Sequence, residues 1–236
     1  MSATGPQKDE EGAWLMSQRP PGQGELALIL AAERLFAERG IAGVSLRQIN
    51  QAANQKNIAA IHYHFGSREK LVRAVLEYRW PRLDRRRGEL LRRVNHTKDL
   101  GFYLEAFITP LLEELVPRPE GNHYLRFITQ YDRTQTGYEL ARRVSPAGVE
   151  IYAQIEKLLF YFPDRVRSVR IGYLINMIHS ILAKAEEQMA RGEVHYADVR
   201  IITSNIIDML SSALAAPLSA RTTELLGRNN RRAAVP

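Results

Sequence analysis

Gln55, Lys56, Asn57, His62, Tyr63 and His64 fall within one short stretch and bring amides, an ammonium, two imidazoles and a phenol to it. Amides and lysine are the groups that pair with base edges and phosphates, and the small residues Ala59 and Ala60 beside them allow close backbone approach. Such chemistry needs the side chains held on one face.

The flanking residues supply that frame. Ser45 can accept from the amide of Gln48 while Gln48 reaches back, which predicts a helix starting at Leu46. Leu46, Ile49 and Ala53 share one inward face by their spacing. Asn54 then suits a left-handed turn, and Ile58, Ile61 and Phe65 repeat the inward spacing in a second helix. Two short helices on a tight turn, the second with a polar outer face, form the frame by which a helix-turn-helix offers a probe to a DNA groove. An ordinary amphipathic helix pair with a solvated face has the same spacing, so from spacing alone both readings stand.

The run Ile61-His62-Tyr63-His64-Phe65-Gly66-Ser67-Arg68-Glu69-Lys70-Leu71 resembles the signature of the TetR family of bacterial transcriptional regulators. The preceding segment is similar too: Ile29, Ala32, Leu35 and Phe36 line a helix that ends at Arg39-Gly40, with glycine suited to the helix end. The resemblance covers roughly residues 25 to 80. It implies an all-α protein with an N-terminal three-helix DNA-binding domain and a C-terminal helical ligand-binding and dimerisation domain. It also implies positioning contacts to DNA from Ser45, Arg47, Tyr63, His64 and Lys70, and groove-facing chemistry from Gln55, Lys56, Asn57, Ala59, Ala60 and His62. Between Ile49 and Asn57 the turn is one residue longer than usual, and Asn54 stands where glycine is common. This is similar to a subgroup with an alanine-alanine-glycine-glutamine-arginine-asparagine turn and implies an altered approach of the recognition helix.

With 236 residues the chain can hold a small reading domain and a larger body. A formal net charge of +7, from 33 Lys plus Arg against 26 Asp plus Glu, favours a polyanionic partner. The absence of cysteine excludes disulfides, thiol nucleophiles and cysteine metal sites. The start has no signal-peptide pattern and no apolar run approaches bilayer length, so a cytoplasmic protein without a membrane partner is expected.

Residues 1–23 are expected to be a disordered arm, with Trp14 and Arg19 placed to reach along DNA should the arm engage it. Residues 24–80 form the expected DNA-binding domain. Its connecting helix over 67–79 is capped by Ser67, carries Leu71, Val72, Val75 and Leu76 inward, and is broken or kinked at Trp80 by Pro81. The basic run from Arg82 to Arg93 reads either as a phosphate grip or as a solvated helix face. Residues 81–217 are expected to be a helical body, without sheet. Helices are expected around Leu104, Phe107, Ile108, Leu111, Leu112 and Leu115; around Tyr124, Phe127, Ile128 and Tyr131; and around Val149, Ile151, Tyr152, Ile155, Leu158 and Leu159. Pro163 would open a long helix over 164–190, and another spans 197–215. Residues 218–236 are expected to be a flexible basic tail.

The last two body helices carry apolar arcs wide enough for two partners. The resemblance implies that they pair with their copies in a homodimer through Ile178, Ile181, Leu182, Ala185, Ile202, Ile206, Met209 and Leu210; burial within one monomer is the other reading. It also implies an effector pocket in the body. Tyr103, Phe107, Leu111, Phe127, Tyr131, Tyr152, Tyr173 and Met177 lie on stripes that would line it and suit an apolar or aromatic ligand, while core packing explains each residue as well. Arg126 and His123 could meet an acidic head group or lie on a helix surface; an acyl or aromatic acid, free or as a thioester, is the candidate effector.

The six histidines, His62, His64, His96, His123, His179 and His195, form no helical metal pair, and no phosphate loop or nucleophile elbow is present. No cofactor, metal or catalytic residue is expected. The expectation is a TetR-like repressor that binds a palindromic DNA operator as a dimer and is released by a small molecule. The alternative is a helical small-molecule-binding protein with a vestigial DNA-binding head.

Overall fold

The computed structural model describes residues 20–55, 59–93, 99–119, 121–131 and 145–233, with the side chains of 59, 60 and 228–233 outside that description. Among the described residues the regular elements are all α-helices, and the protein is all-α. They are α1 (Gln23–Arg39), α2 (Leu46–Ala52), α3 (Ala59–His64), α4 (Arg68–Leu91), α5 (Leu100–Glu113), α6 (Tyr124–Tyr131), α7 (Pro146–Leu158), α8 (Asp164–Ala190), α9 (Tyr196–Ala215) and α10 (Ala220–Ala233).

Local chemistry sets the boundaries in the head. α1 buries Leu28, Ile29, Ala32, Leu35 and Phe36, and stops at Gly40, whose φ of 77° lets its amide turn back to the Phe36 carbonyl at 3.0 Å. Ser45 starts α2 through a reciprocal cap: its Oγ accepts from the Gln48 amide at 3.3 Å, and its own amide donates to Gln48 Oε1 at 2.8 Å. Ser67 starts α4 by accepting from the Lys70 amide at 3.2 Å.

α1 packs against α2, α4 and α6, so it touches both the reading pair and the body. In the body, α5 packs on α4, α7 and α9, and α6 lies along α8. Phe36 of α1 stacks on Phe127 of α6 with ring centroids 6.2 Å apart, closing the seam between head and body. The short helix α6 is capped from a distance. Glu186 of α8 accepts from the amides of Leu125 and Arg126 at 3.1 and 3.0 Å and from Arg126 Nε at 3.0 Å. A carboxylate on exposed amides at a helix start complements the helix dipole. Burial nevertheless outweighs these bonds and holds the Glu186 carboxyl above its usual range.

Pro81 does not end the connecting helix: α4 runs unbroken from Arg68 to Leu91 with Pro81 inside it. A proline within a helix costs about 3 kcal/mol, and contacts on both sides offset it: Arg79 pairs with Glu33, Trp80 Nε1 donates to Tyr124 Oη at 2.9 Å, and Arg82 pairs with Glu114. The basic run is turned partly inward, with Arg85, Arg92 and Arg93 left exposed. Arg86 bonds Glu113 at 2.9 Å and Glu89 at 3.1 Å, and Arg87 is buried. Within the tail that begins at 218, residues Ala220–Ala233 form α10. The arm expected over 1–23, with Trp14 and Arg19, lies outside the described residues up to position 19. So does Ile58.

Candidate nucleic-acid interface and body cavity

The α2–α3 pair rests on Ile49, Ile61 and Phe65, all buried under α1 and α4. Ala53 closes α2, and Asn54 takes the left-handed conformation, with φ of 52°. The turn is tied by a residue the sequence reading passed over. Asn50 is buried, its Nδ2 donates to the Gln55 carbonyl at 3.0 Å, and its own carbonyl accepts from the Gln55 amide at 3.2 Å. Both bonds span the turn, so Asn50 fixes where the chain leaves it.

Around this frame Ser45, Arg47, His62, Tyr63, His64 and Lys70 are exposed and Gln55 is half-buried. Tyr63 is 86% exposed, with its ring edge-on to His64 at 5.3 Å. An aromatic so open gains nothing from the core of its own chain, which leaves it free for an external surface. Ser45 is already occupied by its capping bonds, so it can offer only its remaining hydrogen-bonding capacity. Lys56 and Asn57, and the side chains of Ala59 and Ala60, lie outside the described residues.

The body encloses a cavity of about 310 Å³ between α4, α5, α6, α7 and α8. Of the residues expected to line a pocket, Phe107, Leu111, Tyr131 and Tyr152 do so. Four do not. Phe127 is fully buried against Phe36 at the head seam. Tyr103 is buried one step around α5 from the lining residue Leu104. Tyr173 and Met177 are 67% and 49% exposed, because Ile171, Leu174 and Ile178 take the inward face of α8 and leave the opposite stripe to solvent. The lining also contains Tyr124, which lies on the periodic stripe of its helix, and Trp80, Arg87, Ser145 and His179, which no periodicity singled out. Burial pushes the Tyr124 phenol well above its usual value, so it is a neutral group.

Arg126 and His123, weighed as partners for an acidic head group, do not line this cavity. Arg126 is engaged with Glu186 and with His123 Nδ1 at 2.9 Å. His123 instead borders a second, more open cleft with Glu33, Arg79 and Asn54, between the head and the start of α6. Among the described residues no three His, Asp or Glu side chains are grouped as metal ligands.

α8 and α9 carry a second apolar surface. Val169, Tyr173 and Met177 on α8 and Ile201, Ile202 and Met209 on α9 are exposed. Of the residues expected at a dimer interface, Ile202 and Met209 are exposed, Ile181, Ala185 and Ile206 are half-buried, and Ile178, Leu182 and Leu210 are buried in this chain's own core. The division reflects two apolar arcs on each helix: one faces inward and the other is left open. No single described helix is long and apolar enough to cross a membrane.

Comparison with known proteins places the head. Residues 28–75 match the family described as bacterial regulatory proteins, tetR family. The chain is 41% identical over 68 residues to the HTH-type transcriptional repressor Rv3405c of Mycobacterium tuberculosis and to the HTH-type transcriptional regulator Mb3439c of Mycobacterium bovis. Each match covers 28% of this chain and 36% of the relative, so the chain spans about a third of those proteins. A crystal structure of RolR without ligand aligns over 82% of this chain and 97% of that one, at 17% identity and a TM-score of 0.36. Over residues 28–75 the head is thus a helix-turn-helix domain of the tetR family of bacterial regulatory proteins.

Proposed function

We propose that the protein is a homodimeric transcriptional repressor of the cytoplasm that binds a palindromic operator and is released by a small molecule in the body cavity. The exposure of Arg47, His62, Tyr63, His64 and Lys70 around one buried helix-turn-helix frame carries this reading. Lys70 and Arg47 supply charge for phosphates, Tyr63 and the imidazoles supply hydrogen bonds, and Gln55, Lys56 and Asn57 with Ala59 and Ala60 form the groove-facing set. The head, 24–80, reads DNA; the body, 81–217, holds the ligand and dimerises. Pairing two copies through the open arcs of α8 and α9 would set the recognition helices about 34 Å apart, one DNA turn.

Relief would run through α4. Trp80 and Tyr124 both line the cavity and are bonded to each other, while Arg79, beside Trp80, grips Glu33 of the head. A ligand that moves the Trp80–Tyr124 pair moves the grip on the head and changes the separation of the two reading helices. The rival reading, a helical ligand carrier with a vestigial head, shares the cavity but needs no DNA.

Fluorescence anisotropy against DNA from beside the gene, with a shuffled control and a salt series, separates the two. A regulator binds the native DNA far more tightly than the control, with a salt slope that reflects several phosphates. Equal weak binding to both would abandon the repressor for the carrier. Within a repressor, Tyr63→Phe or Lys70→Ala weakens all DNA alike, whereas changes at Lys56 or Asn57 alter sequence preference.

A further inference from the structure

Arg87 is 6% exposed, lines the body cavity, and lacks a carboxylate in direct contact among the described residues. Its Nη1 donates to Ser145 Oγ at 3.2 Å, its Nε has no partner, and its guanidinium lies over the Phe107 ring at 4.4 Å. The nearby acid, Asp84, is one step removed: its Oδ1 accepts from Ser145 Oγ at 2.9 Å and from the Gly148 amide at 3.0 Å. The contrast with Arg79 is informative. That buried arginine is held by two bonds to Glu33 at 2.6 and 2.7 Å. A guanidinium buried without such a partner is costly to keep, and this one faces a space that can hold something else.

We propose that the cavity takes a small organic acid, an apolar body of about one ring bearing a single carboxylate, with the carboxylate on the guanidinium of Arg87. This rests on the reading of the cavity as the effector site. Apart from Ser145, His179 and the tyrosine hydroxyls, the rest of the wall is apolar or aromatic, with Trp80, Leu104, Phe107, Ile128, Ile155 and Leu174 around the ligand body. A planar fork of donors matches a carboxylate in geometry as well as charge. A phosphate, with more charge and more oxygens, would find one guanidinium too few donors. A cavity of about 310 Å³ is at the small end of ligand sites, and a thioester has no free carboxylate to offer Arg87. The free acid is therefore the form that fits.

Calorimetric titration of the full chain with phenylacetate, hexanoate and neutral phenylacetamide tests the assignment. The acids are expected to bind at least about tenfold more tightly than the amide. Arg87→Met should abolish that preference by weakening the acids far more than phenylacetamide, and Arg87→Lys should restore part of it. Equal binding of acid and amide, or unchanged acid binding by Arg87→Met, would overturn the assignment while leaving a ligand cavity in place. Binding of none of the three by the unsubstituted protein would overturn it as well. The acid-against-amide comparison needs no substitution, so it stands even if Arg87→Met fails to fold. Operator affinity is read in the same samples: acid that binds without releasing DNA would sink the effector reading and leave the acid site intact.

Discussion

Glu33 of α1 and Arg79 of α4 face each other as a buried, two-pronged pair, with Nε–Oε2 at 2.6 Å and Nη2–Oε1 at 2.7 Å. Burial pulls the Arg79 guanidinium down, but the bonds and charge of Glu33 outweigh it and leave the group above its ordinary value. The pair joins the head to the helix that enters the body, and Glu114 at the end of α5 extends it by taking Arg79 at 3.3 Å and Arg118 at 3.2 Å. Breaking a buried pair by removing one partner costs about 3–5 kcal/mol because a charge is left behind. Glu33→Gln should therefore lower unfolding stability by that order, less whatever Glu114 recovers. Urea unfolding of Glu33→Gln, Arg79→Met and the double variant forms a cycle. Additive effects would show that the two residues are not coupled and that the head is held by apolar contacts such as Phe36–Phe127.

The turn before the recognition helix makes a second prediction. Asn54 has φ of 52°, a conformation that costs a residue branched at Cβ about 1–2 kcal/mol. Asn54→Val should destabilise the protein by that amount and weaken operator binding, whereas Asn54→Gly should retain both. A valine variant as stable as the parent in thermal unfolding would mean that the turn relaxes at no cost.

These two sites also show what could be read from residues in order. The head is written in short-range signals: Ser45 with Gln48, Gly40 after Arg39, Asn54 at the turn, Ser67 before α4. Each acts within a few residues of itself, so sequence spacing captures it. Arg87 shows the opposite case. It sits in a run with Arg85 and Arg86 that reads as surface, and its burial depends on α5 and Ser145, fifty-eight positions away along the chain. Pro81 misleads for the same reason, since the contacts that keep α4 continuous come from Glu33, Glu114 and Tyr124. On α8, Tyr173 and Leu174 are equally apolar and adjacent, and periodicity cannot choose which of two apolar arcs faces inward. The helices packed around α8, chiefly α6 and α9, make that choice.

The open arcs of α8 and α9 predict an oligomer that can be dissolved without unfolding the chain. Met177 and Met209 are 49% and 62% exposed, whereas Leu182, one turn beyond Ile178, is buried. Met177→Lys combined with Met209→Lys should give a monomer in sedimentation experiments with unchanged helical content and weakened operator binding, since one head grips DNA less well than two. Leu182→Lys should instead unfold the protein, because it places an unpaired charge in the core. A double variant that sediments as a dimer would move the interface elsewhere.

Acid should loosen the same seam from the other side. His123 stands before α6, with Nδ1 2.9 Å from Arg126 Nη2, so the arginine donates and the imidazole accepts. Burial, then the charge of Arg126, lowers its pKa below the ordinary 6.5, with Arg34 acting in the same sense and Glu33 and Glu38 opposing. A depressed base is neutral in the folded protein and takes up its proton more readily when unfolded. Its contribution is therefore present above about pH 6.5 and is lost as pH falls through the folded value. Glu186, raised by burial, works in the opposite direction, since the folded state holds its proton more tightly. Comparing the parent with His123→Gln cancels that contribution, because both proteins retain Glu186. Urea unfolding at about pH 7.5 and about pH 5.5 should show the parent losing more stability on acidification than the variant does. Equal losses in the two proteins would mean that His123 protonates in the fold without cost, and that the Arg126 contact opens when it does.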